Sequence, residues 1–255
     1  MADKQTVEQY YQENEYWFPY HYIAQFKENQ FKHYFLDTWA INYVSTIEYL
    51  LKKIIVVPGA RIVDIGCGDG RFSRELALAF QSSFVVGIDY STRAIEIASA
   101  LNSDIINLHF HTLDITDEHN LGPYDIAVLM EVFEHIPIKD TENFIKSVRV
   151  LLKDRGELFI TVPHMNKPLE YKHFQHFSCE KIVNYLQPYF TIAEIVPFER
   201  ILYQRTFILK ILHNKFFIPR NPMLLSFIYK WYKRKLFFCE SEKQCQRIFI
   251  KAIAK

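Results

Sequence analysis

The chain has 255 residues, 49% of them apolar, with 30 Lys/Arg against 29 Asp/Glu. This is the composition of a folded globular protein and excludes a disordered or collagen-like chain. No run of 18 apolar residues occurs, so no transmembrane helix is expected. The opening MADKQTVEQYYQENEYW lacks an apolar core and does not read as a signal peptide.

The near-balance of charge hides an asymmetry. From Arg200 to Lys255 there are 13 Lys/Arg and two acids, Glu240 and Glu242, giving +11 there against −10 for the rest. Such a segment either faces something anionic or is a solvated basic face. Cys67, Cys179, Cys239 and Cys245 show neither metal-ligand nor disulfide spacing, which fits a reduced cytoplasmic setting.

In chain order, the first 55 residues read as helical. FLDTWAINYVSTIEYLLKKI places Trp39, Tyr43, Ile47 and Leu50/Leu51 at helical spacing, and upstream YWFPYHYIAQF is dense in aromatics. From Pro58 short apolar runs alternate with helical patterns. ARIVDIGCGDG, FVVGIDYS, IINLHFHTLDI, YDIAVLMEV and GELFITVP read as five strands, and TENFIKSVRVLL as a helix. This alternation predicts a parallel sheet covered on both faces. YFTIAEIVPF reads as a sixth strand and CQRIFIKAIAK as a seventh. The predicted organisation is a helical extension or lid over 1–57 and an α/β domain over 58–255, interrupted by a basic, aromatic insertion at 198–245.

Three of the seven glycines, Gly66, Gly68 and Gly70, fall within five residues at the end of the first strand. Glycine there permits a sharp turn and close approach of a ligand to the backbone. Asp89 ends the second strand 19 residues after Gly70, placed to accept the two hydroxyls of a ribose. The pattern is not the dinucleotide G-x-G-x-x-G. It is D-x-G-x-G-x-G from Asp64 to Gly70, and an acid two residues before the first glycine suits a cationic amino group better than a pyrophosphate. The bland reading makes Asp64 a loop acid and Asp89 a turn acid before an N-capping Ser91.

VDIGCGDGRFS, VVGIDYS, LDI, YDIAVLMEVFEHI and LLKDRGELFITVP, in order from about residue 60 to 197, resemble the class I S-adenosylmethionine-dependent methyltransferases. The resemblance implies a doubly wound, seven-stranded Rossmann-like sheet. All its strands would be parallel but one, with the C-terminal strand inserted antiparallel beside the sixth. It also implies S-adenosylmethionine as cofactor. Asp64 and the loop Gly66, Cys67, Gly68 and Gly70 would hold its methionine part. Asp89 would bind the ribose, Tyr90 would lie beside the adenine, Leu113 and Asp114 would meet the adenine edge, and Met130 and Glu131 would border the sulfonium.

Past the fourth strand, EVFEHIP brings together Glu131, Glu134 and His135. Aligning nucleophile and methyl group is worth about 7–11 kcal/mol of barrier, and a general base adds roughly 10²–10⁴-fold. Three readings stay open. His135 is a general base for a hydroxyl, as the likeness of EVFEHIP to the motif of ubiquinone-type O-methyltransferases implies. Or the catalytic acids and His135 are ligands of a divalent ion, joined by a later histidine, His173 or His176, as the likeness to small-RNA 2′-O-methyltransferases implies. That family's surrounding Arg-His-x-Asp-His-x-Phe-Glu-Trp context is missing here, so the expectation is no metal. Or Glu134 and His135 are polar residues of a short turn stopped at Pro137.

VPHMNKPLEYKHFQHFS follows the fifth strand, at the edge where such sheets bind ligands. It resembles a segment of bacterial methyltransferases that include those near surface-glycan genes, and His164, His173 and His176 would shape the acceptor pocket with Tyr20 and His21 of FPYHY. The competing reading is that His176 only orients the loop while Ser178 caps the next helix.

In the insertion, Lys230, Lys233, Arg234 and Lys235 cluster among Trp231, Tyr232, Phe237 and Phe238. This suits a substrate lid, peripheral membrane contact through 216–238 at the inner membrane face, or a dimer face with snorkelling lysines. No recognised RNA-binding motif accompanies the basic residues, which argues against nucleic acid. The expected function is methyl transfer to a hydroxyl of a sugar, a lipid-linked or phosphate-bearing glycan, or a quinone-like small molecule. The other readings are a metal-dependent RNA 2′-O-methyltransferase and a non-catalytic cofactor-binding scaffold.

Overall fold

The protein is described here from a computed structural model, covering residues 6–8, 26–27, 30–31, 38–202, 207–208, 212 and 221–255. A seven-stranded sheet is formed by β1 (Arg61–Ile65), β2 (Phe84–Asp89), β3 (Leu108–Thr112), β4 (Tyr124–Met130), β5 (Leu152–Pro163), β6 (Phe190–Arg200) and β7 (Cys245–Ala254). The spatial order is β3-β2-β1-β4-β5-β7-β6. β7 alone is antiparallel to its neighbours, as expected, and it lies between β5 and β6. Pro197 is tolerated in β6 because that strand is the edge of the sheet, pairing with β7 and otherwise, among the described residues, making only an isolated bridge from Phe198 to Phe238.

Alternation along each strand divides the core between the two faces. Ile62, Val85, Ile126, Val128, Phe159 and Phe249 point to one face. There they pack on helix α1 (Thr38–Lys53), through Ile41, Val44, Ile47 and Leu50, and on α2 (Arg71–Ala79), through Phe72 and Leu76. Val63, Ile65, Ala127, Leu129, Ile160 and Ile250 point to the other. That face is covered by α4 (Thr141–Leu151) and α5 (Cys179–Leu186). Helix α3 (Thr92–Leu101) follows β2, its N-cap Ser91 accepting from the Ala94 N–H. Ser178 caps α5 in the same way, as its sequence predicts.

Three expectations are corrected. The helical reading of the first 55 residues fails at Phe26–Lys27 and Gln30–Phe31, which pair antiparallel. β5 starts at Leu152, so the helix before it stops at Leu151 rather than including Leu152. β6 continues to Arg200, so the insertion leaves the sheet after that residue and not at 198. Within the insertion, α6 (Pro222–Tyr232) is followed by a π-helical turn, Lys233–Phe237.

Candidate active site

The strand order reverses between β1 and β4, and a cavity of about 390 Å³ opens at their C-terminal ends. That volume lies in the range of small-molecule sites. The floor is the glycine loop. Gly66, Gly68 and Gly70 have φ of 70°, 55° and 78°, a region that favours glycine. A Cβ on Gly66 would stand 2.6 Å from Val132 Cγ2, so glycine there lets the chain leaving β4 lie against the loop. The N–H groups of Gly66 and Cys67 donate to the carbonyl of Ile88, and that of Gly68 donates to Asp89 Oδ2 at 2.9 Å. Asp89 Oδ1 accepts from the Ser91 N–H, so one carboxylate joins the loop to the start of α3.

Asp64 is buried at the end of β1 and accepts from the Ser73 hydroxyl at 2.6 Å. Burial pushes its carboxyl up to about 7 against this bond, and the Asp89 charge adds to the rise. Burial pushes the Cys67 thiol well up. Tyr90, Leu113, Asp114 and Met130 also line the cavity. Asp114 holds its own turn, accepting at Oδ1 from the N–H and hydroxyl of Thr116. The residues fit the expected cofactor: a buried carboxyl at one end, an acid at the ribose position, and backbone exposed by glycine between them. Gly70 is a correction. It does not line the cavity. A Cβ there would meet Phe110 at 2.7 Å, so its role is to start α2 beneath β3.

Beyond Met130 the chain turns sharply at Glu131, whose φ is 59°. Its Oε2 accepts from Arg247 Nε at 2.7 Å, and its Oε1 is buried without a partner. Arg247 also pairs with Glu199, the second acid at φ 59°. The sequence reading missed both. The signal was there in Gln246 and Arg247, polar residues inside an otherwise apolar strand. Phe133 anchors the next turn in the core, stacked on Phe177 with centroids 5.2 Å apart. That anchor leaves Glu134 and His135 at the cavity wall. Glu134 is 1% exposed and its Oε2 has no partner; burial, then the neighbouring Glu131 charge, hold its carboxyl far above the usual range.

The loop after β5 supplies the facing histidine. His173 sits with its ring centroid 4.8 Å from that of His135, nearly perpendicular to it. The hydrogen bonds define the tautomers. A carbonyl only accepts, so His135 Nδ1 donates to Lys172 O (3.1 Å) and His176 Nδ1 donates to Lys167 O (3.0 Å). His176 Nε2 therefore accepts, and His173 Nδ1 donates to it at 2.8 Å. Nε2 is left as the lone-pair nitrogen of both His135 and His173. Burial above all pushes His173 down to about 2, and a proton on His135 or His176 would oppose a second charge there, so it stays neutral.

Glu134, His135 and His173 thus bring three ligand-type atoms within 4.8 Å of one another. Of the two later histidines that the sequence offered as ligands, His173 joins this cluster and His176 does not. His176 is consumed by Lys167 O and His173 and does not line the cavity. His164 is also corrected: it lies outside the cavity, 3% exposed, with Nε2 2.9 Å from Glu242 Oε1. It fastens the end of the insertion instead. Tyr20 and His21 lie outside the described residues. Cavity-lining residues absent from the sequence reading include Asn42, Tyr43 and Thr46 of α1 and Lys167 and Lys172.

Comparison with known proteins agrees with this geometry. The family model described as "Methyltransferase domain" matches residues 57–197. A ubiquinone biosynthesis O-methyltransferase from Vibrio campbellii is 28% identical over 140 residues, 54% of this chain and 57% of that protein. One from Haemophilus ducreyi is 31% identical over 134 residues, 49% and 52%. The chain therefore spans about half the length of the curated relatives it matches. Among solved structures, magnesium protoporphyrin IX methyltransferase from Synechocystis with bound S-adenosylmethionine superposes with a TM-score of 0.62 at 14% identity, covering 100% of both chains. A [4+2]-cyclase superposes with a TM-score of 0.59 at 15% identity, covering 83% of this chain and 82% of that one, so the fold alone does not define the chemistry. With the strand order, the glycine loop and the family match in agreement, the chain belongs to the methyltransferase-domain family, on the fold of the S-adenosylmethionine-dependent methyltransferases.

Proposed function

We propose that this protein binds S-adenosylmethionine in the cavity and transfers its methyl group to a hydroxyl oxygen of a small molecule. The acceptor class we favour is a quinone-like phenol or a sugar, including a lipid-linked one. The observation that carries the reading is the position of the His135–His173 pair and Glu134, immediately past Met130 on the cavity wall. The curated relatives named O-methyltransferases support it.

The bound cofactor supplies an activated methyl group. Asp64 receives its cationic amino end, and Asp89 receives the ribose hydroxyls while tensioning the glycine loop. Met130 and Glu131 border the reacting centre. His135, with its proton at Nδ1 directed to Lys172 O, presents Nε2 as the base for the acceptor hydroxyl. Glu131 and Arg247 hold the turn that aims it.

The test is S-adenosylhomocysteine release with a panel of dihydroxybenzenes and sugars. His135→Ala should lower turnover about 10²–10⁴-fold while leaving cofactor affinity in place; unchanged turnover would remove the base. A second reading rests on the 4.8 Å cluster, where a divalent ion held by Glu134, His135 and His173 would bind acceptor oxygens. Turnover abolished by EDTA and restored by Mg²⁺ or Mn²⁺ would favour it, and EDTA-insensitive turnover would dismiss it.

A further inference from the structure

Helix α6 has two faces of different kinds. Asn221 caps it, accepting from the N–H groups of Met223 and Leu224. Leu225, Tyr229 and Tyr232 are buried in the core cluster that also holds Ile41, Val44, Ile47 and Leu50 of α1, and the Tyr232 hydroxyl donates to Asn42 Oδ1 at 3.2 Å. The outward face is apolar where water should make it polar: Met223 is 85% exposed, Phe227 67% and Leu224 47%. Positions 223, 227, 230 and 234 follow i, i+4, i+7, i+11 spacing, so Lys230 and Arg234 continue the stripe begun by Met223 and Phe227. Lys230, Arg234 and Lys235 are exposed. No acid occurs between Glu199 and Glu240. Only Lys233 of this cluster pairs with an acid among the described residues, and that acid is Glu48 of α1.

We infer that α6 and the turn after it are a docking surface for an anionic lipid bilayer. Three large apolar side chains on a solvent face need a non-aqueous phase, and the adjoining cations need anionic groups at its boundary. A bilayer offers both, in that order of depth. A polyanion such as RNA would meet the cations but leave Met223, Leu224 and Phe227 in water. The helix is short, about 16 Å at the α-helical rise, and suits a position along the headgroup boundary rather than across it.

The placement gives this surface a consequence. The insertion leaves β6 and enters β7 at the sheet edge where the cavity opens. Asn42, which receives Tyr232, also lines that cavity. Among the described residues, α1 thus links the proposed bilayer surface to the acceptor space through Asn42. Resting on the proposed hydroxyl acceptor, this favours one carried in the membrane; the docking itself does not depend on that reading.

The experiment is co-sedimentation of the full chain with vesicles of phosphatidylcholine alone or with 30% phosphatidylglycerol, at 50 and 500 mM NaCl. Binding is expected to the anionic vesicles only and to weaken in high salt. Each cation near the surface is worth about 5-fold, so Lys230→Gln/Arg234→Gln/Lys235→Gln should weaken binding at least ~10-fold. Met223→Ser/Phe227→Ser should do the same. S-adenosylhomocysteine affinity, measured separately, should be unchanged in both variants, which shows that they fold and separates this test from that of the methyltransferase reading. No binding to anionic vesicles, or both variants binding like the wild type, would overturn the inference. So would a dimer in solution that Phe227→Ser dissociates, since a second copy would then cover this face.

Discussion

Arg247 Nε donates to Glu131 Oε2 at 2.7 Å, joining the last strand of the sheet to the first residue past β4 across the intervening β5. The same guanidinium pairs with Glu199 at the end of β6. Both acids hold φ of 59°, where a side chain is strained. One cation thus secures the turn that carries Glu134 and His135 and closes the two ends of the insertion together.

Replacing Arg247 with Met should therefore destabilise strongly. It removes the cation from two carboxylates, one of them only 1% exposed. The expected loss is about 3–5 kcal/mol, read by urea unfolding. Adding Glu199→Gln should recover part of it, because a neutral amide tolerates burial better than a carboxylate.

Asp64 gives a pH signature. Its folded pKa near 7 lies above the unfolded value of 3.8. The folded state therefore binds more protons between them, and stability from this group falls as pH rises from about 4 to about 7. A ligand with a cationic amino group needs the charged form. S-adenosylhomocysteine affinity should rise about 10-fold from pH 6 to pH 8, and calorimetry on Asp64→Asn should show that rise flattened.

Asp89→Ala should weaken S-adenosylhomocysteine binding at least ~10-fold and also lower stability. The side chain accepts from the N–H groups of both Gly68 and Ser91, and stranding a buried donor costs about 1–3 kcal/mol. Calorimetry and urea unfolding on the same variant separate the two losses.

Gly66→Ala tests the contact beneath the turn. The new methyl would stand 2.6 Å from Val132 Cγ2, at a φ of 70°. Overpacking of this kind costs about 1–3 kcal/mol. Gly66→Ala/Val132→Ala should recover the steric part and retain the backbone part, so urea unfolding should place the double variant between wild type and Gly66→Ala.

Hydrophobic periodicity and glycine spacing by themselves determined the seven strands and the acids at the ends of β1 and β2, while the one antiparallel strand came only from the family resemblance. Periodicity and glycine spacing are local signals, because a buried strand must be apolar and a tight loop at a strand end must contain glycine. The strand ends were less legible, since Leu152 fits a helix face as well as a strand start. The tertiary structure decided which side chains meet. His173 and not His176 faces His135, because His176 is held between Lys167 O and His173, a relation between loop residues that spacing does not encode. His164 turned from the cavity to Glu242, 78 residues away in the chain. Arg247 became part of the site only because β7 inserts between β5 and β6, bringing a C-terminal residue within hydrogen-bond reach of Glu131.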